Sequence, residues 1–428
     1  MATHDVGISR RQAVAAGAAA GAVLGAAPLS GLRAQTAGKR KLTVGLVGCG
    51  GRGGGALENH LEAVQVINDK LSWGLEVKAV ATGDFNKGRA EGVGRKFGVP
   101  ADQCFGGAEA YRKVIEQKPD MVLFATPTVF RPVHFAAAVA AGRHVFMEKP
   151  VAVDPPGIRK VFDAHAEAKQ KGLTVVAGTQ RRHSHGYNER WQAIREGLYG
   201  RILGGRVSWC MGKFFGEKPI NPKNPEDLIG QGKWWCWNMI SGDHIVEQHV
   251  HNVDIANWYL QSHPLSARGF GFRARRVGGN MYDFFSVDFE YPNGVHIHSM
   301  CRQMGGCWDW VGEEFTYEKG GGKPKEPVPY SDKPRKGNDY VDEHIHLLMS
   351  VVEGKEPINE ARNVAEATAA NIMGREAAYS GQEIKWSDMF ENKNSPWYNL
   401  QRRPTAEDFE TGDIVYPKDG DIQIPGKA

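Results

Sequence analysis

Two short stretches of the chain carry side chains able to move protons. Glu148-Lys149-Pro150 ends an apolar run, and a lysine leaving a strand there beside a carboxylate can hold a substrate hydroxyl and exchange its proton. Further on, the segment from Gly242 to Asp254 reads Gly-Asp-His-Ile-Val-Glu-Gln-His-Val-His-Asn-Val-Asp. On one helix Glu247, His251 and Asp254 fall at i, i+4 and i+7 and share a face. The same stretch admits a second chemistry: His244, Glu247 and His251, joined by His249 or Asp254, could gather a metal. Polar helix residues satisfied by their own hydrogen bonds are the third reading.

A third stretch binds rather than reacts. Gly48-Cys49-Gly50-Gly51-Arg52-Gly53 directly follows an apolar run and precedes a helical pattern. In that setting Gly48 makes a tight turn, Gly50 lets the backbone approach a pyrophosphate, and Gly53 permits close packing, with Gly51 and Arg52 inside the loop. Asp84, past the second apolar run, is placed to accept hydrogen bonds from an adenosine ribose, which favours NAD; Lys87 and Arg89 nearby leave NADP open. Gln180-Arg181-Arg182-His183 leads out of the first domain, making Arg182 and His183 substrate contacts or interdomain ion pairs. Trp234, Trp235 and Trp237 precede the acid–base segment; Trp235 is expected either to stack on a sugar ring or to belong to a core or interface.

These residues need a frame. Runs at 42–47, 75–82, 121–126, 144–148 and 174–179 are apolar without alternation, as in strands buried on both faces of a parallel sheet. Helical stretches between them, including 133–141 and one opened by Asp154 and Pro155 and stopped by Gly172, predict an α/β fold: a doubly wound Rossmann domain over 41–180. After 181 the pattern changes. Val287, Phe289 and Tyr291 alternate with polar residues, Pro292-Asn293-Gly294 turns the chain, and Val295, Ile297 and Ser299 resume, an antiparallel hairpin. Further strands are expected near 202–214, 267–277 and 311–318, with helices near 340–353 and 360–379. The predicted second domain, 181–385, is α+β with an open, mainly antiparallel sheet, and 386–428 reads as an irregular tail.

Taken together, the Gly48-x-Gly50-x-x-Gly53 loop, Ala125-Thr126-Pro127 followed by His134, Glu148-Lys149-Pro150 and the closing helices resemble the Gfo/Idh/MocA family over residues 41–385. The resemblance implies a nicotinamide cofactor bound by the glycine loop with Thr126, Pro127, His134, Glu148 and Lys149, and a sugar, polyol or cyclitol substrate. It implies that His251 acts as general base with Lys149 assisting, Glu247 standing where the family usually has Asp. It also implies pairing through the open sheet as a homodimer or homotetramer.

Composition narrows the alternatives. The chain has 428 residues with 41% hydrophobic and 24% charged, enough for two cores. Lys plus Arg is 53 and Asp plus Glu 49 without long runs of one sign, which argues against a nucleic-acid groove. Six scattered cysteines form no C-x-x-C pair. Ser9-Arg10-Arg11, an Ala/Gly run to Ala27 and Leu32-Arg33-Ala34 read as a twin-arginine signal over 1–34, predicting a periplasmic protein without a stable membrane anchor. Three activities fit: an oxidoreductase with tightly bound NAD(P), a redox-neutral glycoside hydrolase or lyase working through transient sugar oxidation, and a non-catalytic nucleotide-binding sensor.

Overall fold

The computed structural model describes residues 38–212, 216–323, 338–354 and 356–422; the expected signal at 1–34 lies outside them. Six strands, β1 (Lys41–Val47), β2 (Glu76–Asp84), β3 (Cys104–Gly106), β4 (Met121–Phe124), β5 (His144–Met147) and β6 (Val175–Ala177), pair in the order β3-β2-β1-β4-β5-β6. All of these pairings are parallel. Every expected strand is present. The addition is β3, three residues too short to carry a periodic signal.

Helices cover both faces of this sheet because their ends are specified. The helix Pro155–Gln170 opens on Asp154, whose side chain accepts from Gly157 N at 2.9 Å, with proline where no N–H is needed. The helix Gly51–Leu71 begins inside the glycine loop, so its N-terminus faces the carboxyl ends of β1 and β4.

The second sheet comprises β7 (Ile202–Met211), β8 (Ser266–Phe272), β9 (Phe284–Tyr291), β10 (Val295–Gln303), β11 (Trp310–Tyr317) and β12 (Ile384–Lys385). Its order is β11-β7-β10-β9-β8-β12, with β7 and β10 parallel and every other pair antiparallel. The β9–β10 turn places Asn293 and Gly294 at positive φ, as its sequence predicted. Phe285, Val287, Phe289 and Tyr291 point inward against the helix Ala361–Ser380, where a Cβ on Gly374 would stand 2.8 Å from the Phe289 ring. The strand expected to reach residue 277 stops at Phe272, because Asp283 accepts from the backbone N–H groups of Ala274, Arg275 and Arg276 and turns the chain there.

The closing helices tie the two domains together. Helix Asp339–Glu353 belongs by sequence to the second domain, yet Val341, Ile345, Leu348 and Val352 complete the apolar core shared with β1 and the helix Gly51–Leu71. The tail expected to be irregular carries helices Trp386–Phe390 and Ala406–Thr411. Its anchor is Arg402, buried on both oxygens of Glu376 at 2.6 Å, while Arg375 donates to the same carboxylate and to the carbonyls of Gly242 and Val153. No helix among the described residues is long and apolar enough to cross a membrane.

Burial alone would push the Glu376 carboxyl up, but Arg402 and Arg375 overcome it and hold the group below the usual carboxylate range. Stability from this contact is therefore complete above the unfolded carboxyl pKa and is lost as pH falls through the depressed one. Arg402→Met is expected to cost about 3–5 kcal/mol at neutral pH. In thermal melts the gap between variant and wild type should close as the buffer is taken into the acid range.

Candidate functional site

The glycine loop has the shape of a cradle. Gly48 sits at φ +94°, and a Cβ there would lie 2.5 Å from the carbonyl carbon of Ala125. A Cβ on Gly53 would meet the Gly48 oxygen at 1.7 Å, whereas Gly50 and Gly51 face open space. Beside them lies a cavity of about 460 Å³ lined by the loop, Asp84, Phe85, Arg89, Thr126, Pro127, His134, Trp234 and Trp235. Close packing behind the loop and free backbone in front are what a dinucleotide pyrophosphate requires at a helix N-terminus. The residues present fit that group.

Asp84 closes β2 and braces the loop, accepting from Cys49 N at 2.7 Å and Asn86 N at 2.9 Å. Burial raises its carboxyl pKa, while those N–H groups and Arg89 pull it back. On the other wall Thr126 Oγ1 lies 3.3 Å from His134 Nδ1, and the His134 ring stacks on Tyr111 and Phe130. Burial pushes His134 down to about 3, so it is neutral. Trp235, with Trp234 at 4.7 Å between ring centroids, walls this nucleotide cavity rather than the acid–base cluster.

Arg52 leaves the loop toward the end of β5. Its guanidinium pairs with the buried Glu148, reaches Glu343 at 3.5 Å and lies over the Tyr340 ring. Glu148 in turn fits only against a glycine, since a Cβ on Gly178 would come within 2.5 Å of its Oε2. One residue on, Lys149 Nζ donates to the Glu247 carbonyl at 2.6 Å and stands 3.1 Å from Glu247 Oε1. The two motifs thus meet in a direct contact across the domain boundary.

The helix carrying Glu247 and His251 is not continuous. It breaks into His244–Glu247 and Val250–Leu260, so the i, i+4 relation assumed from spacing does not describe them. His251 stacks on Trp209 of β7 with centroids 5.7 Å apart. Its Nδ1 and Glu247 Oε2 are buried polar atoms without a protein partner. Burial first, then the charges of Lys149 and Arg181, hold the His251 imidazole well below its ordinary pKa; burial raises Glu247 against the pull of Lys149. The alternative metal ligands diverge: His249 Nε2 meets Ser299 Oγ at 2.7 Å and His244 packs edge-on against Phe285.

Arg182, His183 and Asp254 are engaged with protein. Arg182 makes a bidentate pair with Asp254, both bonds 2.8 Å, and His183 lies 3.2 Å from Glu360 and 2.6 Å from His346 Nδ1. Sequence reasoning passed over Arg181, which reaches Glu313 of β11 and lies over Trp209. Residues 180–183 form a 3₁₀ turn, in which successive side chains diverge by about 120°. That geometry sends Arg181 toward His251 and Arg182 away, a distinction the spacing of a dipeptide does not carry.

The two kinds of glycine predict different failures. Gly53→Ala should lower the melting temperature markedly, an overpacking cost of about 3 kcal/mol or more. Gly50→Ala should fold normally yet lose NAD affinity by calorimetric titration. Equal melting temperatures for the two variants would contradict this geometry.

Residues 42–178 match the family described as "Oxidoreductase family, NAD-binding Rossmann fold", and residues 187–307 match the GFO/IDH/MocA C-terminal domain. An inositol 2-dehydrogenase of Cereibacter sphaeroides is 33% identical over 60% of this chain and 65% of its own length. A 2,7-anhydro-N-acetylneuraminate hydratase of Escherichia coli is 26% identical over 45% of this chain and 48% of its own. The chain thus spans less than two thirds of the length of these curated relatives. Among solved structures, a levoglucosan dehydrogenase in complex with NADH and levoglucosan superposes with a TM-score of 0.65 at 17% identity, covering 81% of this chain and 99% of that one. With both domain types matched in tandem on the observed fold, the chain belongs to the Gfo/Idh/MocA oxidoreductase family and carries its NAD-binding Rossmann domain.

Proposed function

We propose that the protein is an NAD(H)-dependent oxidoreductase that oxidises a CH–OH group of a sugar, polyol or cyclitol. The observation that carries this reading is the contact of Lys149 with Glu247, beside the neutral His251, where β5 ends near the nucleotide cradle. NAD, when bound in the cradle, would supply the hydride acceptor. Lys149 donates a hydrogen bond to the substrate oxygen and stabilises the negative charge that grows there. Neutral His251 accepts the hydroxyl proton, while the C–H hydrogen departs with its electron pair and a carbonyl forms. Glu247 positions Lys149 and offsets its charge.

The similarity to inositol and levoglucosan dehydrogenases supports a polyhydroxylated substrate. Redox-neutral cleavage of a glycoside, for which the similarity to a hydratase is the motive, is the second reading. We further infer export by the twin-arginine route, which carries folded proteins and would deliver the enzyme to the periplasm with its nucleotide bound. A second substrate would then reoxidise that nucleotide in place. Assembly as a dimer or tetramer through the open sheet completes the proposal.

Purified protein is expected to release NAD(H) on denaturation and to reduce NAD at 340 nm with free inositols or sugars. Release of nitrophenol from nitrophenyl glycosides without net absorbance change at 340 nm would favour the second reading. Lys149→Met and His251→Asn should each lower kcat by about 10²-fold or more with little change in NAD affinity. Because His251 is held neutral, the acid limb of the kcat/KM profile should fall below the ordinary imidazole range of about 6.5. Replacing Arg10 and Arg11 by Lys should leave the protein in the cytoplasmic fraction of its host.

A further inference from the structure

We propose that Glu226, a residue of the second domain, sets the preference for NAD over NADP by withholding Arg89 from the ribose end of the cleft. The inference rests on the nucleotide reading above and names a residue outside the Rossmann domain. At the end of a second Rossmann strand a carboxylate takes the ribose hydroxyls, and a nearby arginine can instead accommodate a 2′-phosphate. This chain has both, Asp84 and Arg89, 3.8 Å apart on the wall of one cavity.

The two differ in freedom. Asp84 is fixed by two main-chain N–H groups and cannot swing aside without releasing the glycine loop. Arg89, in the first turn of the helix Lys87–Lys96, has a long side chain, and its Nη2 is taken by Glu226. Glu226 is itself held in place. The short helix Pro225–Ile229 is capped by Asn224, which accepts from Asp227 N at 3.1 Å, and Asp227 is tied to Lys233 at 2.7 Å. From this segment the chain runs directly into Ile229, Gln231 and Gly232 on the cavity wall.

The result is one guanidinium between two carboxylates. A 2′-hydroxyl can donate to Asp84 in this setting at no electrostatic cost. A 2′-phosphate, carrying a charge of about −1.5 to −2, would face Asp84 and Glu226 with Arg89 already committed to them. Lys87 does not line this cavity; its ammonium lies 3.5 Å from Glu91 on the helix surface. The Arg89–Glu226 pair is partly open to solvent, at 28% and 40% side-chain exposure, so neutralising Glu226 strands no buried charge.

The test is calorimetric titration of the full chain, freed of copurified nucleotide, with NAD and with NADP. Glu226→Gln is expected to tighten NADP binding by about tenfold while NAD affinity changes by less than about threefold. The gain should vanish in Glu226→Gln/Arg89→Ala, which identifies Arg89 as the group released. An unchanged NADP to NAD affinity ratio in Glu226→Gln, or a gain that survives loss of Arg89, overturns the proposal. Wild-type protein that binds neither nucleotide would instead overturn the functional reading on which it rests.

Discussion

An ammonium and a carboxylate withdrawn from water across a domain boundary set the terms for everything around them. Lys149 arrives two residues past the end of β5 and Glu247 on a helix of the second domain, and neither charge is tolerable in that place alone. The surroundings alternate in sign accordingly: Arg52 and Arg131 stand by Glu148, Glu343 follows beyond Arg52, and Arg181 neighbours His251. A displacement of either domain would leave several of these groups unpaired at once. The rigidity of the crevice is thus an electrostatic requirement as much as a packing one.

Helices placed late in the chain meet that requirement. Asp339–Glu353 crosses back to the nucleotide-binding domain and brings Tyr340 and Glu343 to Arg52. Ala361–Ser380 is buried nearly all round and holds Arg375 on the carbonyls of Val153 and Gly242, one from each domain. Asp243, next to Gly242, accepts from Tyr379 Oη and Tyr282 N, so the segment leading to Glu247 is held both by that helix and by the residues before β9. The reactive side chains sit at element ends, and the elements are immobilised by buried polar contacts rather than by apolar packing alone.

Much of this was readable in advance where chemistry is local. The glycine loop, Asp84 and Glu148-Lys149 depend on strand ends and turns, and short-range patterns announce those. What escaped depended on geometry that spacing does not encode. The break after Glu247 separates two residues that a continuous helix would align; the 3₁₀ turn at 180–183 sends Arg181 to Glu313 and Arg182 to Asp254. Trp235 reads from sequence as a sugar platform or as part of a core or interface, and the structure puts it on the wall of the nucleotide cavity. The tail looked irregular because its order comes from Arg402 and from Phe409, which packs on Phe85 and Phe130, not from periodicity.

That tail also bears on how the molecule is made. Phe409 and Glu410 buttress Phe130 and Tyr111 from behind, and Asp419 accepts from Ile220 N and Gly279 N at the root of the segment over the cavity. A ribosome still holding residues 402–419 has released the whole Rossmann sequence but not the groups that back its walls. Glu376 must wait for its second arginine during that interval. The binding cleft therefore reaches its final form only once residues 402–419 have left the ribosome, however early its first strands pair.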